Sequence, residues 1–420
     1  MIVLSGAALV LPDRILSPGT LVIDEGVIVE VRPDPPAGGH GQSPFAFHGH
    51  YIVPGFIDVH VHGVDGVDTL DARPEGDAIA SIAARLPRYG VTAFCPTTVA
   101  CAPERLRSVL DQVRRAREMA SPRAARVLAA HLESNFINPD YRGAQPQTCL
   151  RSPRLALAGD ADDESKRSRR RRGDDTEFDG AEILAEIERA SPDVGIVTLA
   201  PELDGGLDLI RWLVARGHRV SLGHSAASYD EAVEAIAAGA RHATHLFNRM
   251  PPLGHRAPGI AGAVLHSDEI AAEIICDGVH VHPAMVRAAI AAKRPSRVLA
   301  ITDATAAAGL PRGSRASLGG QPIIAGESTA HLEDGTMAGS VLTMDRAFQI
   351  LVSRVGLSLV DAATVCATTA ARELGLVGHG VLAQGAIADL TILDANFSVV
   401  HTYIGGQLVY ARNTPATLSV

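Results

Sequence analysis

Lysine is almost missing from this chain of 420 residues. Only Lys166 and Lys293 occur, so arginine supplies nearly all of the 38 basic side chains. Chemistry that needs a buried lysine has two candidates, and neither stands at the end of an apolar strand. Cysteine is sparse as well. Cys95, Cys101, Cys149, Cys276 and Cys366 form an odd set with no CxxC pair. That argues against a thiolate zinc site and a disulfide framework, and it suits a reducing cytosol. A cytoplasmic location is therefore expected. No apolar run reaches the roughly 20 residues that a membrane-crossing helix needs, and Met1 to Gly6 lacks the basic start of a signal peptide. Neither a membrane nor a leader is expected. The net charge of -9 gives no reason to expect nucleic acid as a partner.

What the chain does have is apolar material, 46% of its residues against 20% charged, the balance of a globular enzyme with ample core. Between about residues 90 and 301, β-rich runs alternate with helical segments. The runs are Val91–Phe94, Val127–Ala130, Gly195–Leu199, Val220–Leu222, Ile274–Cys276 and Val298–Ile301. The helices are Arg105–Met119, Ala181–Ala190, Tyr229–Ala238 and Pro283–Ala292. Such alternation predicts a parallel sheet, and a barrel of about 250 residues or more is the form that closes it. Short β runs at both ends, with Gly405-Gly406 as a hairpin turn, predict one small β domain made from separated pieces. The expected fold is α/β: a (β/α)8 TIM-like barrel over 54–382, with a small β-sandwich domain from 1–53 plus 383–420. Residues 151–179 break the pattern with an acidic stretch and the run Lys166 to Arg172. An anionic partner would suit the basic run, but the acids beside it favour a solvated insertion.

The most informative segment is Pro54-Gly55-Phe56-Ile57-Asp58-Val59-His60-Val61-His62. On a strand, His60 and His62 point to one face, so both imidazoles can meet a single ion. Further candidates stand at expected strand ends, where a barrel gathers its site: His131 and Glu133, His224, His242 and His245, and Asp303. Neutral imidazole with carboxylate suits Zn or Fe(II) and leaves room for water. A carboxylate near that water can take its proton and pass it to a leaving amine; Asp303 is the candidate.

At these motifs the chain resembles the N-acetylglucosamine-6-phosphate deacetylase family of the amidohydrolase superfamily. The resemblance is carried by the segment 54–62, His131-Leu132-Glu133, Leu199-Ala200-Pro201-Glu202, Gly223-His224-Ser225, Thr244-His245-Leu246-Phe247-Asn248, Pro258-Gly259, Asp277-Gly278-Val279-His280 and Thr302-Asp303-Ala304-Thr305. It implies that Glu133, His224 and His245 hold the main ion. His60 and His62, with Glu133 bridging and Asp303 nearby, would hold a second, so that one or two ions bind per subunit. It implies Asp303 as general base and then acid. Asn248, Arg256 and His280 would bind the sugar phosphate, Arg256 reaching across a homodimer. Four departures surround the substrate rather than the ion. Ser134-Asn135 replaces Gly-Pro, Gln145 stands where the family has a histidine for the acetyl carbonyl, Arg249 adds a cation, and Ala257 replaces an acid.

The implied reaction is hydrolysis of the acetamide of N-acetylglucosamine-6-phosphate. N-acetylgalactosamine-6-phosphate or another N-acyl amino sugar is the alternative. A cyclic-amide hydrolase bridged by carboxylated lysine is disfavoured, because Glu133 occupies the bridge position and Lys166 and Lys293 lie elsewhere. A metal-free interaction protein on the same barrel predicts lost ligands, yet all six are present.

Overall fold

The computed structural model describes residues 1–34, 46–71, 76–158 and 178–412. The basic run 166–172, and most of the charged insertion with it, lies outside the described residues.

Eight parallel strands form the barrel: β1 (Phe56–Val61), β2 (Val91–Thr98), β3 (Ala130–Glu133), β4 (Val194–Leu199), β5 (Arg219–Leu222), β6 (His242–Ala243), β7 (Ala271–Ile275) and β8 (Val298–Ile301). They are hydrogen-bonded in sequence order. Buried on both faces, they read as near-continuous apolar runs; every residue of β1, β2 and β7 is buried. The ring closes between β1 and β8. Asp303 N–H donates to His60 O at 3.0 Å and His62 N–H to Ala304 O at 2.8 Å. Below these bonds the Thr302 hydroxyl donates to Asp58 Oδ2 at 2.6 Å. Asp58 thus ties the first strand to the segment after the last.

The expected helices form, at Pro103–Glu118, Gly180–Arg189, Tyr229–Ala237 and Pro283–Lys293. The first buries Leu106, Val109, Leu110 and Val113, the stripe that a 3.6-residue period lays against a sheet. Two open with capping boxes, Asp179 with Glu182 and Ser228 with Glu231, each satisfying backbone donors that the first helical turn leaves free. Among the described residues, no helix is long and apolar enough to cross a membrane.

The strand expected at Val127–Ala130 is displaced. Arg126–Val127 makes a separate pairing with β2, and β3 begins only at Ala130. His131 and Glu133 therefore belong to the strand rather than following it. Polar residues can sit there because the barrel interior supplies partners, including Thr198 for His131 at 2.8 Å.

Both chain ends join one seven-stranded sheet, in the order Gln407–Ala411, Val399–Ile404, Leu390–Leu393, Tyr51–Pro54, Ile2–Val10, Ile15–Asp24 and Val27–Pro33. Its core, around Leu4, Leu9, Leu21, Ile52, Leu390 and Ile392, is separate from that of the barrel. Gly405 and Gly406, both at positive φ, turn the last hairpin, as a two-residue turn requires.

A further four-stranded antiparallel sheet, unforeseen from the sequence, spans Arg315–Leu318, Gln321–Ala325, Thr329–Leu332 and Met337–Ser340. Ser340 N–H donates to Asp303 O at 2.8 Å, so this sheet buttresses the loop after β8. Gly339 sits at φ +60°, and a Cβ there would lie 2.8 Å from the Asp303 carbonyl oxygen. Only glycine tolerates both constraints.

Candidate active site

The chemistry-bearing residues gather at the carboxyl ends of the strands. His60 is in β1 and His62 just beyond it, Glu133 closes β3, and His224, His245 and Asp303 stand two residues past β5, β6 and β8. Three of these hold unusual backbone angles: φ is +48° at His224, +28° at His245 and +50° at Asp303. Phe247 (+79°) and Arg249 (+52°) are strained nearby, so five of the nine described non-glycine residues at positive φ surround one site. Strain of this kind costs about 1–3 kcal/mol per residue and concentrates where geometry is imposed for function. Glu202 braces the loop that carries His224, accepting from Ser225 Oγ at 2.7 Å, Ala226 N–H at 2.6 Å and Asn138 Nδ2 at 2.9 Å.

Two candidate ligand groups result, and Glu133 joins them. Its Oε1 lies 2.8 Å from His224 Nε2 and 2.9 Å from His245 Nε2, and those two nitrogens are 3.1 Å apart. On the other side, His60 Nε2 and His62 Nε2 are 3.2 Å apart. Asp303 Oδ1 is 3.4 Å from the first and 3.2 Å from the second, and Glu133 Oε2 is 3.5 Å from His62 Nε2. Nitrogens held about 2.0–2.1 Å from a tetrahedral ion are about 3.3 Å from one another, so both spacings fit a cation between them.

The second nitrogens of two of the four rings supply an independent test, while Nδ1 of His62 and of His245 is buried without a hydrogen-bond partner. His224 Nδ1 donates to Tyr141 O at 2.8 Å and His60 Nδ1 to Glu273 at 2.9 Å. Each ring is thereby fixed with the Nε2 lone pair facing the cluster. Charge points the same way. Burial alone would push Glu133 up, yet His224, His245 and His60 hold it well below the usual carboxylate range. Burial would likewise raise Asp303, but His62 and His60 keep it low. Burial opposes a charged His60, and Glu273, Asp303 and Glu133 overcome that to raise its pKa to about 10, so that without an ion a proton takes the place on Nε2 that a metal cation would fill. Buried carboxylates this close demand a cation. The donor set therefore fits a divalent ion.

The site opens into a cavity of about 410 Å³ lined by His62, Glu133, Gln145, His224, His245, Asn248, Arg249, His280 and Asp303, with Leu318, Met337 and Gly339 from the four-stranded sheet. Gln145 is buried. Its Oε1 accepts from Ala100 N–H at 2.7 Å, and its amide donates to Glu133 Oε2. One of its two N–H bonds is thus committed to the carboxylate. His280 Nδ1 meets Asp277 Oδ2 at 2.6 Å, which holds the ring at the cavity wall. Arg249 is exposed and lies across Gly143. Arg256 is exposed on the loop before Gly259 and does not line this chain's own cavity. Ser134, from one departure, donates to Thr198 O, and Asn135 ties Cys101 O and Cys149 O at 2.9 and 2.8 Å. Both serve the loop rather than the cavity.

The amidohydrolase family profile matches residues 51–409. The chain belongs to the amidohydrolase family. It is 37% identical to the human N-acetylglucosamine-6-phosphate deacetylase, covering 94% of this chain and 90% of that protein. It is 32% identical to that of Bacillus subtilis (strain 168), over 96% of both. The N-acetylgalactosamine-6-phosphate deacetylase of Escherichia coli O157:H7 is also 32% identical, over 92% of this chain and 94% of that one. Among solved structures, a mutant N-acetyl-D-glucosamine-6-phosphate deacetylase from Mycobacterium smegmatis in complex with N-acetyl-D-glucosamine-6-phosphate superposes with a TM-score of 0.83. That match is at 31% identity and covers 97% of this chain and 99% of the other. Amidohydrolases depend on metal, in keeping with the donor set above.

Sequence reasoning missed Glu273. It is wholly buried, yet it bonds His60, His242 and the backbone of His245. A lone carboxylate inside the apolar run Ala271 to Ile275 was the available signal, because a buried charge must be paired.

Proposed function

We propose that this chain hydrolyses the acetamide of N-acetylglucosamine-6-phosphate, giving acetate and glucosamine-6-phosphate. The observation that carries the reading is Glu133 Oε1 within 2.9 Å of two imidazole nitrogens at the floor of the cavity, beside a second histidine pair and Asp303. Glu133, His224 and His245 would hold the main ion, and His60 and His62, with Glu133 and Asp303, a second. Zn or Fe(II) suits these donors. Such an ion, when bound, lowers the pKa of its water towards about 7 and polarises the acyl oxygen.

The chain's own residues supply the rest. Asp303 takes a proton from the attacking water as its oxygen adds to the acetyl carbon. Asp303 then returns that proton to the amide nitrogen, the C–N bond breaks, and acetate and a free amine leave. The N–H of Gln145 that Glu133 does not use is the donor for the acyl oxygen, in place of a charged histidine. Asn248, His280 and Arg249 line the wall suited to the sugar and its 6-phosphate, where planar cations bind phosphate oxygens well. Arg256 would complete that wall in a neighbouring copy, making a homodimer the working unit. The site gives no role to nucleic acid or membrane, and an enzyme of amino-sugar phosphates fits a cytoplasmic setting.

N-acetylgalactosamine-6-phosphate is the alternative substrate, favoured by the Escherichia coli O157:H7 relative. Acetate release from phosphorylated and unphosphorylated N-acetyl sugars, with metal content measured alongside, decides between them. N-acetylglucosamine-6-phosphate should turn over fastest, and chelation should stop it. Turnover of unphosphorylated sugars alone would refute the phosphate roles of Arg249, Arg256 and His280.

A further inference from the structure

Behind the candidate ligand groups lies a second polar cluster, inside the barrel and not lining the cavity: His60, His131, His242 and Glu273, all with no exposed surface. Three of its members could themselves group around an ion, but their hydrogen bonds exclude it. His131 Nδ1 faces Val59 O at 3.0 Å, a contact that requires a proton on that nitrogen, and Nε2 faces the Thr198 hydroxyl at 2.8 Å. No lone pair of this ring points at Glu273. The Nδ1 of His242 faces the Arg219 guanidinium at 3.4 Å, which only donates, so its proton sits on Nε2 and goes to Glu273 Oε1 at 2.9 Å. Glu273 Oε2 takes His60 Nδ1 at 2.9 Å and the His245 backbone N–H at 3.2 Å. Every neighbour of Glu273 is thus a donor, and none is an arginine or a lysine.

We infer that Glu273 is a positioning residue for metal binding at the His60–His62 position. By accepting the Nδ1 proton of His60, it fixes the tautomer that leaves the Nε2 lone pair facing His62, Glu133 and Asp303. A carboxylate behind a ligating imidazole sets its orientation and raises its basicity, and losing such a partner typically costs about 10–100-fold in metal affinity. Histidine tautomers are set by what the other nitrogen bonds, and here that partner is one buried carboxylate. The same residue touches the His245 backbone, so it braces both ligand groups, but it governs the ring of only one. This inference rests on the metal-dependent reading above and goes beyond it in naming what orders the two positions.

The test is Glu273→Gln. The amide keeps the volume and one acceptor but turns a donor towards either His60 or His242, so both cannot keep their protons where they are. Metal-free wild type and variant are titrated with Zn(II) by equilibrium dialysis, with folding followed by circular dichroism. The expected result is two ions per chain in wild type. In the variant, one ion should be retained at its original affinity and the other weakened about 10–100-fold. In a His60→Asn background, Glu273→Gln should add no further loss, because its effect passes through that ring. If Glu273→Gln does not fold, Glu273→Asp carries the same test, its shorter reach weakening the same ion. Equal affinities for both ions in wild type and variant would overturn the inference. So would a wild type that binds only one ion, although the deacetylase reading would then survive. A wild type that binds none would sink both.

Discussion

The two halves of the ligand cluster are built by different means. His224 and His245 stand on tight turns past their strands, at positive φ, and close on one oxygen of Glu133 at 2.8 and 2.9 Å, their own nitrogens 3.1 Å apart. His60 and His62 extend an ordinary strand, and their contacts with Glu133 and Asp303 are longer, 3.2–3.7 Å. The first half is held chiefly at its turns: Tyr141 O fixes the His224 ring, the Glu202 carboxylate pins the turn that carries it, and Glu273 takes only the His245 backbone N–H. The second is held by a buried side chain, Glu273. Strain locked in by a scaffold gives a rigid site, whereas orientation by one carboxylate gives a tunable one. If two ions bind, the tighter is expected in the strained half and the weaker in the strand half.

Each half of the cluster can be removed separately. Replacing both His224 and His245 with Asn should bring acetate release down to background and remove the tighter ion, as read by metal analysis of the purified protein. Retained activity would show that the strand half suffices alone. Asp303→Asn should lower kcat by about 10²–10⁴-fold while the tighter ion stays bound. A matching loss of that ion would mean that Asp303 acts chiefly as a ligand. Replacing His60 and His62 with Asn should halve the metal content and slow turnover less than the loss of the other pair. An equal loss would erase the distinction between halves. Smallest, Arg249→Ala should raise KM for the phosphorylated sugar by about 10–100-fold, the worth of a charged hydrogen bond, with kcat largely kept. An unchanged KM would leave phosphate binding to His280, Asn248 and a neighbour's Arg256.

Much of this was legible in the residues, for reasons that can be stated. The HxH spacing works because strand period puts alternate side chains on one face, and the parallel strands announced themselves by apolar runs between helical segments. Less legible was anything set by partners distant in sequence. Glu133 proved to be the last residue of its strand rather than beyond it, since the interior hydrogen bonds of His131 let polar residues enter the barrel. The sheet at 315–340 carries an irregular burial pattern, with Gly, Ser and Thr among few large apolar residues, so its strands do not stand out. Gln145 is visible as a departure from the family, but its bond to Glu133 depends on how a loop folds back. Glu273 sits 213 residues from His60, and no local pattern pairs them.

An ion is expected where Glu133, His224 and His245 converge. Anomalous diffraction from crystals of the zinc-loaded protein, recorded on both sides of the zinc absorption edge, tests it directly. A peak about 2.0–2.2 Å from Glu133 Oε1, His224 Nε2 and His245 Nε2 is the expected result. A loaded protein with no peak among those three atoms would contradict it.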